Sequence, residues 1–215
     1  MLASRTRRLT LGVAVAALLP LSLTACGSDD KKDAAAGSDS TASASSPATD
    51  QSSGAMTGDQ PFGPACASVP KDGAGSFDGM AKDPVATAAS HNPALSTLVT
   101  AVKKAGLVDT LNNAQNITVF APTNDAFAKI PKADLDKVLA DKAMLTKVLT
   151  YHVVGQKLAP KQLESGTYPT LEKSTLTTSG SGESYKVNDA SNVVCGNVPT
   201  ANATVYIVDS VLMPK

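Results

Sequence analysis

At 215 residues the chain carries 19 basic and 19 acidic side chains, so it lacks the positive excess that nucleic-acid binding calls for. With no Trp and 4% aromatic residues it also lacks the makings of a stacking platform for bases or sugars. Charge nominates no partner, and any partner has to be read from motifs.

The first 25 residues read as a lipoprotein signal peptide. Arg5, Arg7 and Arg8 form a basic start, and the apolar run Leu9 to Leu23 is interrupted by Gly12 and Pro20, too short and broken to span a bilayer. Leu23-Thr24-Ala25-Cys26 resembles a bacterial lipobox, after which the cysteine takes a thioether-linked lipid and becomes the new N-terminus. The alternative is an ordinary cysteine behind a secretory run. The small residues before Cys26 and Gly-Ser-Asp-Asp after it favour lipidation, and with it a place on the outer face of the cell membrane. Arg7-Arg8 faintly resembles a twin-arginine signal, although a route for unfolded chains fits better with a disulfide made outside the cell.

Residues 26–60 read as the lipid anchor and a disordered tether. Gly27 to Gln60 is almost entirely Ser, Thr, Ala, Gly, Asp and Lys, which cannot bury enough apolar surface to offset chain entropy. Such a tether reaches about 30 to 35 Å, enough to hold a domain clear of lipid headgroups. Its Ser and Thr density also permits O-glycosylation. From Pro61 to Lys215 the composition becomes that of one folded domain, with no internal repeat. Once Cys26 is assigned to lipid, Cys66 and Cys195 are the cysteines left in an exported chain, and they are expected to pair. Closing a loop of about 130 residues contributes up to about 5 kcal/mol in the chain-entropy model. Two cysteines and two distant histidines do not have zinc-site spacing, and nothing calls for a metal or another cofactor.

The domain opens with helices. Asp83-Pro84 reads as an N-cap and first-turn pair for a helix that His91-Asn92-Pro93 ends. Leu95, Leu98, Val99 and Val102 recur at helical spacing up to Lys103, Lys104 and a C-terminal Gly106, and Leu107 to Leu111 continues as a short helical turn. Ile117 to Phe120 is a strand that Pro122 stops, and Thr123, Asn124 and Asp125 then offer side-chain oxygens to the start of a helix. Pro131 breaks that helix. Leu135, Val138 and Leu139 mark the next, and Met144, Leu145, Val148 and Leu149 a third that runs up to Tyr151 and His152. The period then changes to short β-rich runs at 152–154, 175–177, 185–187, 193–195 and 204–212. Helices followed by close-spaced strands predict an α+β fold, a sheet folded into a sandwich and flanked by helices.

Three stretches carry a family resemblance. Thr118-Val-Phe-Ala-Pro-Thr-Asn-Asp-Ala-Phe127 resembles the first signature of the fasciclin domain, Tyr151-His152 its Tyr-His motif, and Ala203-Thr-Val-Tyr-Ile-Val-Asp-Ser-Val-Leu-Met-Pro214 its second signature. The resemblance covers Gly63 to Lys215. Val194-Cys195-Gly196 and Thr200-Ala-Asn-Ala-Thr204 bring it near the family's actinobacterial secreted and lipoprotein members, whose disulfide supports the Cys66 to Cys195 pairing. It implies a wedge of β-sandwich and short helices that works in adhesion or extracellular binding without an established catalytic activity. By resemblance to animal members, Tyr151 and His152 are the candidate binding residues. Asn197-Val-Pro-Thr-Ala201 departs from those members in lacking their acidic-aliphatic pair. The residues also have a structural reading: Tyr151 and His152 sit where a helix passes into a strand, a place that buries rings while their polar atoms bond nearby groups. Asp209 inside an apolar strand is expected to bond neighbouring groups, and His91 to sit at the surface of a helix end.

No G-x-S-x-G, P-loop, H-E-x-x-H or EF-hand spacing occurs, so an envelope hydrolase is the remote alternative and no catalytic residue is assigned. Two binding readings stay open: a lipid-anchored surface module for a protein or matrix partner, and an envelope protein that holds the bacterium's own glycans or lipids. A monomer is expected. An apolar cleft on the helical side would favour a protein or lipid ligand.

Overall fold

A computed structural model describes residues 60–214; the signal segment, Cys26 and the tether up to residue 59 lie outside the described residues. A 3-10 turn at Pro64–Ser68 leads to α1 (Phe77–Met80) and α2 (Val85–Ser90), and a second 3-10 turn, Pro93–Leu95, runs into α3 (Ser96–Ala105) and α4 (Val108–Asn113). Strand β1 (Ile117–Pro122) is followed by α5 (Asn124–Ala128), α6 (Lys132–Ala140) and α7 (Lys142–Tyr151). The rest is β2 (Val153–Val154), a 3-10 turn at Pro160–Glu164, then β3 (Ser165–Pro169), β4 (Thr175–Ser181), β5 (Ser184–Val187), β6 (Ser191–Pro199) and β7 (Ala203–Val208).

The strands form one seven-stranded sheet in the order β2-β1-β7-β6-β5-β4-β3. β1 and β7 pair in parallel, from Ile117 opposite Ala203 to Pro122 opposite Val208, and the other neighbours are antiparallel. The sheet curls until its two edges meet: Val154 of β2 bridges to Thr170, just past β3, and the Leu171 N–H donates to the Val153 carbonyl at 2.8 Å. Register shifts between Val193 and Cys195 and between Cys195 and Val198 bulge β6, and a bulge bends a strand and increases its twist. The expected sandwich is therefore the two halves of one curled sheet.

Strand parity explains the burial. In β1 and β7 both faces are buried. Phe120 and Tyr206 point into the curl, where their rings stack with centroids 5.8 Å apart and join Phe62, Leu176, Tyr185 and Val187. Ile117, Val119, Ala121, Val205 and Ile207 point the other way, into a second core made with α2, α3, α4 and α7. β3 and β4 have only one covered face, and outer residues such as Ser165, Thr167, Thr175 and Thr177 are polar and exposed.

The helix ends show where local expectations need correction. Thr123 caps α5 as expected, accepting from the Ala126 N–H at 3.1 Å. Asn124 caps α3 instead: its Oδ1 accepts from the Thr97 N–H at 2.9 Å while its amide donates to the Pro93 carbonyl. Asp83 does not cap α2, because it turns to His91, with Oδ2 3.4 Å from Nδ1. The cap comes from Asn202 at the start of the last strand, whose Oδ1 accepts from the Val85 N–H at 2.8 Å. β7 ends at Val208, earlier than the predicted run to Leu212, and β3 forms where no strand is predicted.

Candidate functional site

α2 reads Val-Ala-Thr-Ala-Ala-Ser, so the face it lays toward the sheet carries methyl groups where larger side chains would fill the space. Beneath it lies a cavity of about 170 Å³ between α2, α3, α4 and the outer face of β1, β2 and β7. Val119, Ala121, Val205 and Ile207 make its floor, and Leu98, Val102 and Leu111 its walls. The cavity is comparable with an engineered apolar cavity of about 150 Å³ that admits benzene. The half-buried Thr87, Ala89 and Val99 and the exposed Ser90 and Lys103 mark its mouth, between α2 and α3.

The polar groups around the cavity already have partners. Thr87 Oγ1 accepts from the Asn112 amide, Ser90 Oγ donates to the Thr87 carbonyl, Asn92 Oδ1 accepts from the Ala94 N–H, and Thr200 Oγ1 donates to the Ala203 carbonyl. The roof is held from several sides. The Asn202 amide donates to the carbonyls of Leu111, Asn112 and Ala114 while its oxygen caps α2, and Asn112 Oδ1 accepts from the Ala86 N–H. Upstream of the roof, Cys66 and Cys195 form a disulfide with Cα atoms 4.9 Å apart. Beside it Phe62 and Gly196 exchange both backbone hydrogen bonds, and the Phe62 ring lies where a side chain at Gly196 would have to go.

Tyr151 and His152 are both 2% exposed. The Tyr151 hydroxyl donates to the Thr175 carbonyl at 3.1 Å and accepts from the Asn188 amide at 2.7 Å. His152 Nδ1 donates to the Val148 carbonyl at 2.8 Å, and its Nε2 accepts from the Leu212 N–H at 2.9 Å. That pairing requires the neutral ring. Burial pushes its pKa from 6.5 down to about 4, against a smaller upward pull from the bond to Val148. His152 edges the cavity, but neither nitrogen is left to face it. Asp209 bonds the backbone and side-chain nitrogens of Asn192 at 2.8 and 2.9 Å and lies 3.5 Å from Lys129. Partial burial opposes its charge, yet the bonds from Asn192 and Ser210 and the Lys129 ammonium hold its carboxyl below the ordinary range. Asn202 and the alanines of α2 carry no sequence signal for these roles, since the groups they serve lie far along the chain or on another element.

Among the described residues no group of three or more His, Cys, Asp or Glu side chains is placed to hold a metal, and no helix is long and apolar enough to cross a membrane. A curled mixed sheet with a helical layer on one outer face defines a fold that known proteins share. The fasciclin domain model matches residues 93–214, and the chain belongs to that family. Immunogenic protein MPB70 of Mycobacterium bovis is 49% identical over 160 residues, spanning 71% of this chain and 81% of that protein. Cell surface glycolipoprotein MPB83 of the same species is 50% identical over 147 residues, 66% of each chain. Protein sll1483 of Synechocystis is 41% identical over 128 residues, 59% of this chain and 71% of its own. The domain pair from the insect cell adhesion molecule fasciclin I superposes with a TM-score of 0.52 over 63% of this chain and 52% of that one; at 21% identity this is a likeness of fold. The family match begins at Pro93, so α1, α2 and the disulfide-bound Cys66 precede it.

Proposed function

We propose that this protein is exported, anchored by a lipid on Cys26, and displays a fasciclin domain that binds a partner outside the cell without catalysing a reaction. The observation that carries this reading is the 50% identity to a cell surface glycolipoprotein, in a chain that itself has Leu-Thr-Ala-Cys behind a basic and apolar leader. The non-catalytic part is supported by His152, whose two nitrogens bond Val148 and Leu212 inside the fold and so cannot activate a nucleophile. Detergent-phase partition tests the anchor. Wild-type protein is expected in the detergent phase and Cys26→Ser in the medium or the aqueous phase, and continued detergent partition of the variant removes the lipid from the account. Saturable binding of the Cys26→Ser chain to immobilised matrix proteins or whole host cells tests the domain, with absence of such binding as the contrary result.

The apolar cavity favours a second reading, in which the domain holds a component of the bacterium's own envelope. Capture of the Cys26→Ser chain by purified envelope fractions supports it, and failure of capture from native extracts counts against it.

A further inference from the structure

We propose that the cavity between α2 and α3 binds an acyl chain, with the alkyl end inside and an anionic head at Lys103. This deepens the envelope-component reading by naming the chemistry of the ligand. The floor and walls are aliphatic, and a cavity of about 170 Å³ accepts a ring or a short alkyl segment. An aliphatic lining offers nothing to the hydroxyls of a glycan, whose burial without hydrogen bonds is unfavourable. The polar side chains at the cavity, Thr87, Ser90, Asn92, Thr200 and His152, bond protein groups. Lys103 differs from them: it is the charged side chain of the lining, it is exposed at the mouth, and it has no hydrogen-bond or ion-pair partner among the described residues. Lys104 beside it adds a second positive charge that offsets the negative end of α3. An amphiphile with one apolar chain and one acid matches that distribution.

The roof comes from the N-terminal part of the described domain, where α1 and α2 lie. Met80 and the residues from Val85 to Asn92 that line the cavity all precede the stretch matched by the family model, residues 93–214. This N-terminal part is fixed by the Cys66 to Cys195 disulfide on one side and by Asn202 on the other.

The test uses the full chain carrying Cys26→Ser, so that its own lipid cannot occupy the site. Calorimetric titration with decanoate below its micellar concentration, and with decanol as the neutral analogue, should give saturable one-to-one binding of both. Ala89→Leu and Val99→Phe place bulk into the cavity from half-buried positions, where the fold tolerates it, and should each weaken binding about tenfold or more, the equivalent of losing two buried methylenes. Lys103→Gln should weaken decanoate about twofold to fivefold and leave decanol unchanged, as expected for an exposed ion pair. Absence of saturable binding, or binding unchanged in both filled variants while their melting curves show a folded domain, overturns the proposal. Phosphatidylglycerol vesicles separate the sources: cosedimentation that Val99→Phe abolishes assigns an esterified chain, and decanoate binding without cosedimentation assigns a free acid. If decanoate does not bind while envelope fractions still capture the chain, the acyl-chain proposal falls and the envelope reading stands; if both fail, both fall.

Discussion

The imidazole of His152 donates from one nitrogen to Val148 and accepts on the other from Leu212, so it ties the end of α7 to the segment that follows β7. Protonation would set an N–H against the Leu212 N–H, and burial already disfavours the charge. The folded ring stays neutral down to about pH 4, whereas an unfolded chain takes up the proton near 6.5. Between those values the unfolded state binds more protons, so stability is complete above pH 6.5, falls as the pH is lowered, and levels off below 4. The loss is about 3 kcal/mol. Urea unfolding at pH 7, 5 and 4 checks this against His152→Gln, which should start less stable but show a flatter decline; equal slopes would remove His152 as the cause. Asn202 makes a different prediction because it serves four backbone groups at once. Asn202→Ala removes this partner from the Val85 N–H and from the carbonyls of Leu111, Asn112 and Ala114 at the end of α4, at about 1 to 3 kcal/mol for each group that water cannot reach. A melting temperature within a degree or two of wild type would show that solvent replaces the side chain.

Elements were legible in the sequence where their causes are local. The strand-to-helix unit β1–α5 follows from an apolar run, a proline and a threonine cap, and α3 ends at Gly106, whose φ of 76° belongs to the left-handed region. α6 and α7 begin two or three residues before the predicted apolar stripes, directly after Pro131 and Asp141, and end close to where the stripes end. What the sequence hides depends on distant partners. β3, Ser-Gly-Thr-Tyr-Pro, has no aliphatic residue and becomes a strand by pairing with β4. The cap of α2 comes from a residue 117 positions away, and alanines on that helix read equally well as close packing or as the roof of a cavity. The disulfide was legible by elimination, but its consequence was not: it fastens an arm that supplies Phe62 to the inner core, with ring centroids 5.4 Å from Tyr185 and 6.4 Å from Tyr206. Cys66→Ser is therefore expected to lower stability by up to about 5 kcal/mol, the entropy of a loop of 129 residues. It should also release the Phe62 arm before the sheet melts. Near-ultraviolet dichroism of the tyrosines against far-ultraviolet melting separates the two events, and a single coincident transition at the wild-type temperature contradicts both.

Across the molecule, the two cores meet at one pair of strands. β1 and β7 present Phe120 and Tyr206 to the inner core and Val119 and Val205 to the helical core, so neither core can open fully without exposing this pair. Their parallel pairing joins residues 117–122 to 203–208, which means the chain between them has to be ordered before the pair is protected on both sides. α6 is the opposite case: it has no buried residue and touches the helical core only through the partly buried Leu135, Val138 and Leu139. Local opening follows buried apolar contact, and amides that lose little on opening exchange first. Native-state hydrogen exchange should therefore rank the β1 and β7 amides slowest, near the free energy of global unfolding, and the α6 amides among the fastest of the helical ones. A ligand in the cavity shares its floor with β1 and β7, and mass action adds its binding energy to every opening that dissolves that floor. Decanoate should then slow exchange in α2, α3, β1 and β7 and leave α6 and β3 unchanged, whereas uniform slowing would place the binding elsewhere.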